Sequence, residues 1–311
     1  MIVTLTPNPS LDRTLEIERL ERGEVVRSRA SRAEPGGKGV NVSRALLNNH
    51  HRTRAVLPIG GPEGDHIATL LDALGLDMSA VPIDAPIRTN ISLIEPDGTV
   101  TKVNAPGPRL TADEVDALHK ATIASLDGAS WVAACGALPP GAPADMYALL
   151  SREVHAAGVR IAVDTSGAPL AAVIDAGPDV VKPNADELAA LTGAHLATLG
   201  DVVSAALEVR RAGAIAVLVS LGRHGAVLVD GDGAVHAESP PVTAKSNVGA
   251  GDATLAGFLA GGGAGPDALR TAVAWGTAAV RLPGSAMPGP VDIDLAAVHI
   301  HDINPDRQLG E

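Results

Sequence analysis

Short apolar runs alternate with amphipathic segments along most of this chain, and that alternation narrows its possible folds more than any other feature. Ile2–Leu5, Arg54–Ile59, Trp131–Ala134, Val159–Asp164, Asp179–Lys182 and Ala214–Ser220 read as buried strands. Helical patterns near Asp65–Leu74, Ala112–Leu126, Ala144–Ala157, Ala185–Leu191 and Val202–Ala212 separate them. Strands apolar on both faces, interleaved with helices, predict an α/β fold with a mostly parallel sheet covered on both sides. In such sheets ligands gather at the C-terminal ends of the strands. With 311 residues, the chain can build one large domain over its whole length, 1–311.

Two stretches break the alternation. Thr14–Arg32 and Arg88–Asn104 look two-stranded and half polar, and the second turns over at Glu95-Pro96-Asp97-Gly98, a strong turn signal. Together they predict a small sheet projecting from the main body as two insertions, although edge hairpins without a role fit the pattern equally. A hairpin formed by Gly225–Val229 and Ala234–Glu238 is expected to extend one edge of the main sheet. After Pro288 the pattern fades, and the end of the tail is expected to fray.

Composition excludes several partners. The net charge is −12 and no block of Lys or Arg tracks along the chain, which argues against nucleic acid and anionic membrane. The single cysteine, Cys135, excludes an internal disulfide and fits a reducing cytoplasm. No basic segment opens the chain, prolines interrupt it at Pro7 and Pro9, and no apolar run reaches the roughly 18 residues a bilayer demands. The expectation is a cytoplasmic protein without a signal peptide.

Two glycine clusters carry the chemistry. The first, Ser246-Asn247-Val248-Gly249-Ala250-Gly251-Asp252-Ala253-Thr254, runs directly into the apolar Leu255–Ala260. Its glycines can aim successive N–H groups at one point, where the helix dipole adds positive potential for an anionic oxygen. A carboxylate beside an anion site makes sense as a base that takes a proton from a hydroxyl attacking phosphate. Asp252 as an ordinary helix-start residue is the plain alternative. The second cluster, Pro35-Gly36-Gly37-Lys38-Gly39-Val40-Asn41, also enters an amphipathic helix. It is neither a phosphate-binding P-loop, since Gly39 follows Lys38, nor a dinucleotide fingerprint. A capped helix with a solvated lysine remains open for it.

Taken together with Asn184-x-x-Glu187, Ser220-Leu221-Gly222-x-x-Gly225, Asn8-Pro9-x-Leu11-Asp12, Arg88-Thr89-Asn90 and Leu138-Pro139-Pro140-Gly141, these clusters resemble the ribokinase-like sugar kinases of the phosphofructokinase B family across nearly the whole chain. Within it the look is closest to the 1-phosphofructokinases, with Thr6-Pro7-Asn8-Pro9, Lys38 between glycines and Leu282-Pro283-Gly284-Ser285 as supporting details. The resemblance implies a three-layer α/β/α sandwich with a small β-sheet lid, and transfer of phosphate from ATP to fructose 1-phosphate. Phosphorylation of fructose 6-phosphate or tagatose 6-phosphate is the alternative within the family, and a silent sugar-phosphate or nucleotide sensor the alternative outside it.

The same resemblance implies residue roles. Asp252 would be the base, and Gly249, Ala250 and Gly251 the anion hole. Asp12, Gly36, Gly37, Asn41 and Asn90 would hold the sugar, with Lys38 and Arg88 on its existing phosphate, Arg88 as a planar fork. Asn184 and Glu187 would organise Mg²⁺ through water. Lys182, Ser220, Gly222, Gly225 and Gly284 would line the nucleotide site. K⁺ activation and a homodimer paired through the lids are further expectations of this kind. Two positions depart from the pattern: Cys135-Gly136-Ala137 offers no hydroxyl where Ser-Gly-Ser is usual, and Asn247 replaces a usual Thr. Cys135 is expected to be a buried, inert thiol. His299 and His301 are expected to lie in a mobile tail rather than hold a metal.

Overall fold

The computed structural model describes residues 1–310. The chain starts with β1 (Ile2–Leu5), crosses to β2 (Ser10–Glu16) and β3 (Ala30–Gly36), and returns through α1 (Lys38–Asn48) to β4 (Thr53–Ile59). α2 (Gly61–Ala73) and β5 (Met78–Pro82) follow, then the excursion β6 (Arg88–Ile94) and β7 (Val100–Val103). The βα alternation resumes with α3 (Ala112–Ala124), β8 (Trp131–Cys135), α4 (Met146–Ala156), β9 (Arg160–Asp164), α5 (Ala168–Ile174) and β10 (Val180–Val181). Next come α6 (Ala185–Thr192), α7 (Leu199–Arg211), β11 (Ala216–Ser220) and the hairpin β12 (Ala226–Asp230) and β13 (Gly233–Glu238). α8 (Ala250–Ala260), α9 (Gly265–Val280) and β14 (His299–Asp302) complete it.

Ten strands form the main sheet in the order β14-β13-β12-β11-β10-β9-β8-β1-β4-β5. Pairing is parallel from β5 to β11 and antiparallel from β11 to β14. Side chains alternate across the sheet, as the pleat requires. Val3, Leu5, Val132 and Ala134 face one core with Leu71 of α2, Leu118 of α3, Leu150 of α4 and Val202 of α7. Ile2, Trp131, Ala133 and Cys135 face the other, with Leu46 of α1, Phe258 of α8 and Trp275 of α9. The result is the expected three layers. α8 is apolar on every side because it is buried from Asp252 to Leu259.

The two interruptions form one four-stranded sheet, in the order β3-β2-β6-β7. Its first half is larger than the predicted Thr14–Arg32: β2 starts at Ser10 and β3 runs to Gly36. β2 pairs with β6 in parallel, which sets Asp12 opposite Asn90. The tail differs more from expectation. β14 adds to the edge of β13, with His301 opposite His236 and His299 opposite Glu238. Arg307 then pairs with Glu238, and the Leu309 amide donates to the Ala197 carbonyl at 2.8 Å. Four residues are too few for a visible period, and the ordering comes from the β13 edge. No helix among the described residues is long and apolar enough to cross a membrane.

Candidate active site

α8 begins at a sharp turn. Gly249 sits at φ 78°, where glycine has no steric penalty, and a Cβ there would run into the Met287 methyl. The first amide paired along the helix is that of Ala253, which donates to the Gly249 carbonyl at 2.8 Å. Among the described residues, the N–H groups of Ala250, Gly251 and Asp252 have no hydrogen-bond partner, and they sit at the positive end of the dipole.

Asp252, in that first turn, is only 7% exposed. Its Oδ2 accepts a hydrogen bond from Asn41 Nδ2 at 2.8 Å, since α1 packs against α8. Nearby, Asp164 closes β9 and is wholly buried. Lys38 Nζ, from the start of α1, donates to its Oδ1 at 2.7 Å. Lys182 Nζ, one residue past the neighbouring β10, lies 2.9 Å from its Oδ2.

The charges in this cluster shift the pKa values of Asp252, Asp164 and Lys38. Burial pushes the Asp252 carboxyl up, and the Asp164 charge pushes it further; the Asn41 hydrogen bond and the two lysines pull back, leaving it at about 6. Burial would also raise Asp164, but Lys182 and Lys38 hold it below the ordinary carboxylate value. Burial works against a charged Lys38, yet Asp164, then Asp252 and Glu187, keep its pKa above the usual ammonium value.

The cluster floors an open cleft of about 1130 Å³ that also takes in Asn184, Glu187, Ser220, Gly222, Gly225 and the Gly249–Gly251 turn. Asn184 and Glu187 make a reciprocal cap on α6: Asn184 Oδ1 accepts from the Glu187 amide at 2.8 Å, and Glu187 Oε2 accepts from the Asn184 amide at 2.9 Å. Ser220 ends β11 and bridges to Asn184. The tail also reaches this cleft. Leu309 and Gly310 line it, and Arg223 Nη2 donates to the Gly310 carbonyl at 2.6 Å.

A second group of residues stands at the root of the small sheet. Asp12 Oδ1 accepts from Ser10 Oγ at 2.6 Å and from Asn90 Nδ2 at 3.0 Å. The Asp12 carboxylate lies so close to Gly36 that a Cβ there would collide with it. Gly37 then caps α1 and leads straight to Lys38 and Asn41. Arg88 departs from the expected open fork. Its Nε donates to Pro9 O at 3.3 Å, Nη1 to Ala105 O at 2.8 Å and Nη2 to Asn8 O at 2.8 Å. Three of its five N–H donors are thus engaged by backbone carbonyls. Burial lowers its pKa against the pull of Asp12.

Gly284 lies beside Arg32 and Glu34 of β3, outside the lining of the cleft. Cys135 is buried, and burial raises its thiol pKa well above the ordinary value, with Asp164 and Asp252 adding to the rise. His299 and His301 lie on an ordered edge strand rather than in a mobile tail. No group of three or more His, Cys, Asp or Glu side chains able to hold a metal occurs among the described residues.

The profile of the pfkB family carbohydrate kinases matches residues 6–291. The chain belongs to that family. This pfkB kinase is 37% identical over 295 residues to the 1-phosphofructokinase of Rhodobacter capsulatus, covering 93% of each chain. It is 34% identical over 292 residues to the ATP-dependent 6-phosphofructokinase isozyme 2 of Escherichia coli K12, covering 92% of this chain and 94% of that one. In three dimensions it resembles Escherichia coli phosphofructokinase-2 solved in complex with potassium, with a TM-score of 0.88 at 33% identity over 94% and 96% of the two chains.

Asp164 is a charged residue of the cleft floor that reading the sequence did not single out; Arg223, Leu309 and Gly310 are others of its lining. For Asp164 a signal existed: a carboxylate ends an apolar run at the C-terminal edge of a parallel strand, where sites form. Its partners, 126 and 18 residues away in sequence, gave no local pattern.

Proposed function

We propose that the protein phosphorylates fructose 1-phosphate with ATP, giving fructose 1,6-bisphosphate and ADP. The observation that carries this reading is a buried carboxylate, Asp252, set immediately beside three unpaired helix-start N–H groups. The C6 hydroxyl of the sugar attacks the γ-phosphorus in line and gives its proton to Asp252. The bond to the β-phosphate oxygen breaks, and ADP leaves with that electron pair. A base near 6 is ionised at neutral pH and still accepts a proton readily. The Ala250, Gly251 and Asp252 amides would stabilise charge on the transferring group, usually the largest catalytic effect in such a site.

Asp12, Asn90 and Asn41, with the close approach at Gly36, would orient the sugar. Lys38, which spends one N–H bond on Asp164, and Arg88, which keeps two N–H donors beyond its three backbone bonds, would be the cations for the phosphate the sugar already carries. Lys182, Asn184, Glu187, Ser220, Gly222 and Gly225 would line the ATP site. Glu187 has one oxygen outside its cap, and a single carboxylate with waters fits Mg²⁺ carried on nucleotide phosphates. When bound, that ion neutralises charge on the β- and γ-phosphate oxygens. K⁺ is the monovalent cation to test, given the potassium complex of the Escherichia coli relative. The small sheet would act as a lid that excludes water. A second copy would pair with it through the edge of β7, where Val100 and Val103 are exposed.

Relatives named 6-phosphofructokinase favour a second acceptor, fructose 6-phosphate, with the same machinery acting on its C1 hydroxyl. A coupled assay of ADP release over fructose, fructose 1-phosphate, fructose 6-phosphate and tagatose 6-phosphate tests the assignment. The expected result is highest kcat/KM for fructose 1-phosphate. Equal values for fructose and fructose 1-phosphate would overturn the sugar-phosphate reading.

A further inference from the structure

Asn41 is an amide, and an amide can face a carboxylate with either end. Its Nδ2 end donates to Asp252; its Oδ1 end would repel it. The choice is settled one helical turn along α1. Arg44 Nη1 donates to Asn41 Oδ1 at 3.2 Å, and also faces Pro35 O at 3.3 Å and Ser285 Oγ at 3.5 Å. Its Nη2 lies 3.8 Å from Glu34 Oε1, and the side chain is only 11% exposed. A guanidinium has donors and no acceptor, and an ionised carboxylate has acceptors and no donor. Between the two, only one orientation of the Asn41 amide satisfies both ends.

We propose that Arg44 is a positioning residue for Asp252, acting through Asn41: the guanidinium pins the amide oxygen and thereby commits the amide N–H to the carboxylate. This rests on the reading of Asp252 as the base. It also gives a role to Ser285, in the late Leu282–Ser285 motif, and to Glu34, which help fix the guanidinium in turn.

The consequence is electrostatic. The charges acting on Asp252 are Asp164, which raises its pKa, and Lys38 and Lys182, which lower it; the Asn41 hydrogen bond also lowers it. Arg44 itself is governed by burial, which lowers its pKa, and by Glu34 and Asp12, which oppose that; Arg32 shares Glu34. Without Arg44 the amide can turn its oxygen to Asp252, and the base becomes harder to ionise. One lost hydrogen bond to a charged group is worth about one pH unit.

The test is kcat/KM for the sugar phosphate between about pH 5.5 and 8.5 in the wild type, Arg44→Met, Glu34→Gln and Asp252→Asn. The ratio of variant to wild type cancels the titration of the substrate's own phosphate. For Arg44→Met, moving the acid limb from about 6 to about 7 gives about a five-fold deficit at pH 6 beyond any deficit at pH 8. Glu34→Gln, on a more exposed side chain, is expected to move the limb the same way by about two-fold at pH 6, and remains readable if Arg44→Met fails to fold. Flat ratios in the folded Arg44 and Glu34 variants, beside an inactive Asp252→Asn, would overturn the positioning role and leave the base standing. Near-wild-type turnover in Asp252→Asn would overturn both.

Discussion

Replacing Asp252 by Asn is expected to make the protein inactive and more stable at the same time. The Asp252 carboxyl is raised from an ordinary 3.8 to about 6, mainly because burial and the Asp164 charge disfavour its ionised form. A folded pKa above the unfolded one means that the native state binds more protons between those values. Stability therefore falls as pH rises from about 4 to about 6, and the whole penalty is present above 6. A difference of about two pH units corresponds to about 3 kcal/mol. The amide introduced by Asp252→Asn would still accept from Asn41 and carries no charge, so the variant escapes that penalty. For 311 residues, an unfolding entropy of about 2.1 cal/mol/K per residue turns 3 kcal/mol into a rise in Tm of about 4–5 °C. The assay is thermal unfolding of wild type and variant at about pH 8 and about pH 4, beside kcat at pH 8. The expected pattern is a Tm gain at pH 8 that vanishes near pH 4, with kcat lower by about 10²–10⁴. A Tm gain of equal size at both pH values, or none at pH 8, would refute the electrostatic argument whatever happens to kcat.

Asp164→Asn removes the shared partner of two lysines, and breaking a buried ion pair from one side costs about 3–5 kcal/mol. Because the Asp164 pKa is depressed, its stabilisation is present at neutral pH and lost as pH falls through its folded value, so the Tm deficit should shrink in acid. The same substitution should move the acid limb of kcat/KM downward, since Asp164 raises Asp252; an upward move would contradict the charge assignment. Gly249→Ala places a Cβ at φ 78° against Met287 and should misdirect the N–H groups at the start of α8. A loss of kcat of about 10² or more is expected, with sugar-phosphate binding by calorimetry nearly unchanged.

The layers of the fold were legible because apolar runs and helical patterns are local. β5 was missed because Met78–Pro82 buries only Val81 and carries no clear period. α9 was not anticipated: its sequence is Ala-rich and follows three glycines, Gly261–Gly263, which interrupt any helical pattern. β14 is a strand only by virtue of the edge it joins. At the candidate site, the Gly249–Asp252 stretch was legible as a glycine turn opening a helix, since that geometry needs only adjacent residues. Arg88 shows the limit of that kind of signal. A guanidinium on a strand reads as a cation for an anionic ligand, and whether it meets a ligand or backbone carbonyls depends on how β2 and β6 align. That register is set by residues nearly 80 positions apart, and no short motif encodes it.

Asp164 explains how a protein of net charge −12 keeps two lysines at the floor of its cleft and the proposed base, Asp252, beside them. Its carboxylate holds Lys38 and Lys182 in place before any anion arrives, so their ordering is settled by folding rather than by binding. Those lysines alone would make Asp252 more acidic and a poorer proton acceptor. The Asp164 charge acts on Asp252 in the opposite sense, and together with burial it outweighs them, because the result lies at about 6. One buried carboxylate thus supports both cation placement and base strength, two requirements that the lysines by themselves set against each other. An incoming phosphate adds further negative charge near Asp252 and must raise its proton affinity again. The proposed base would then become stronger as the substrates assemble around it.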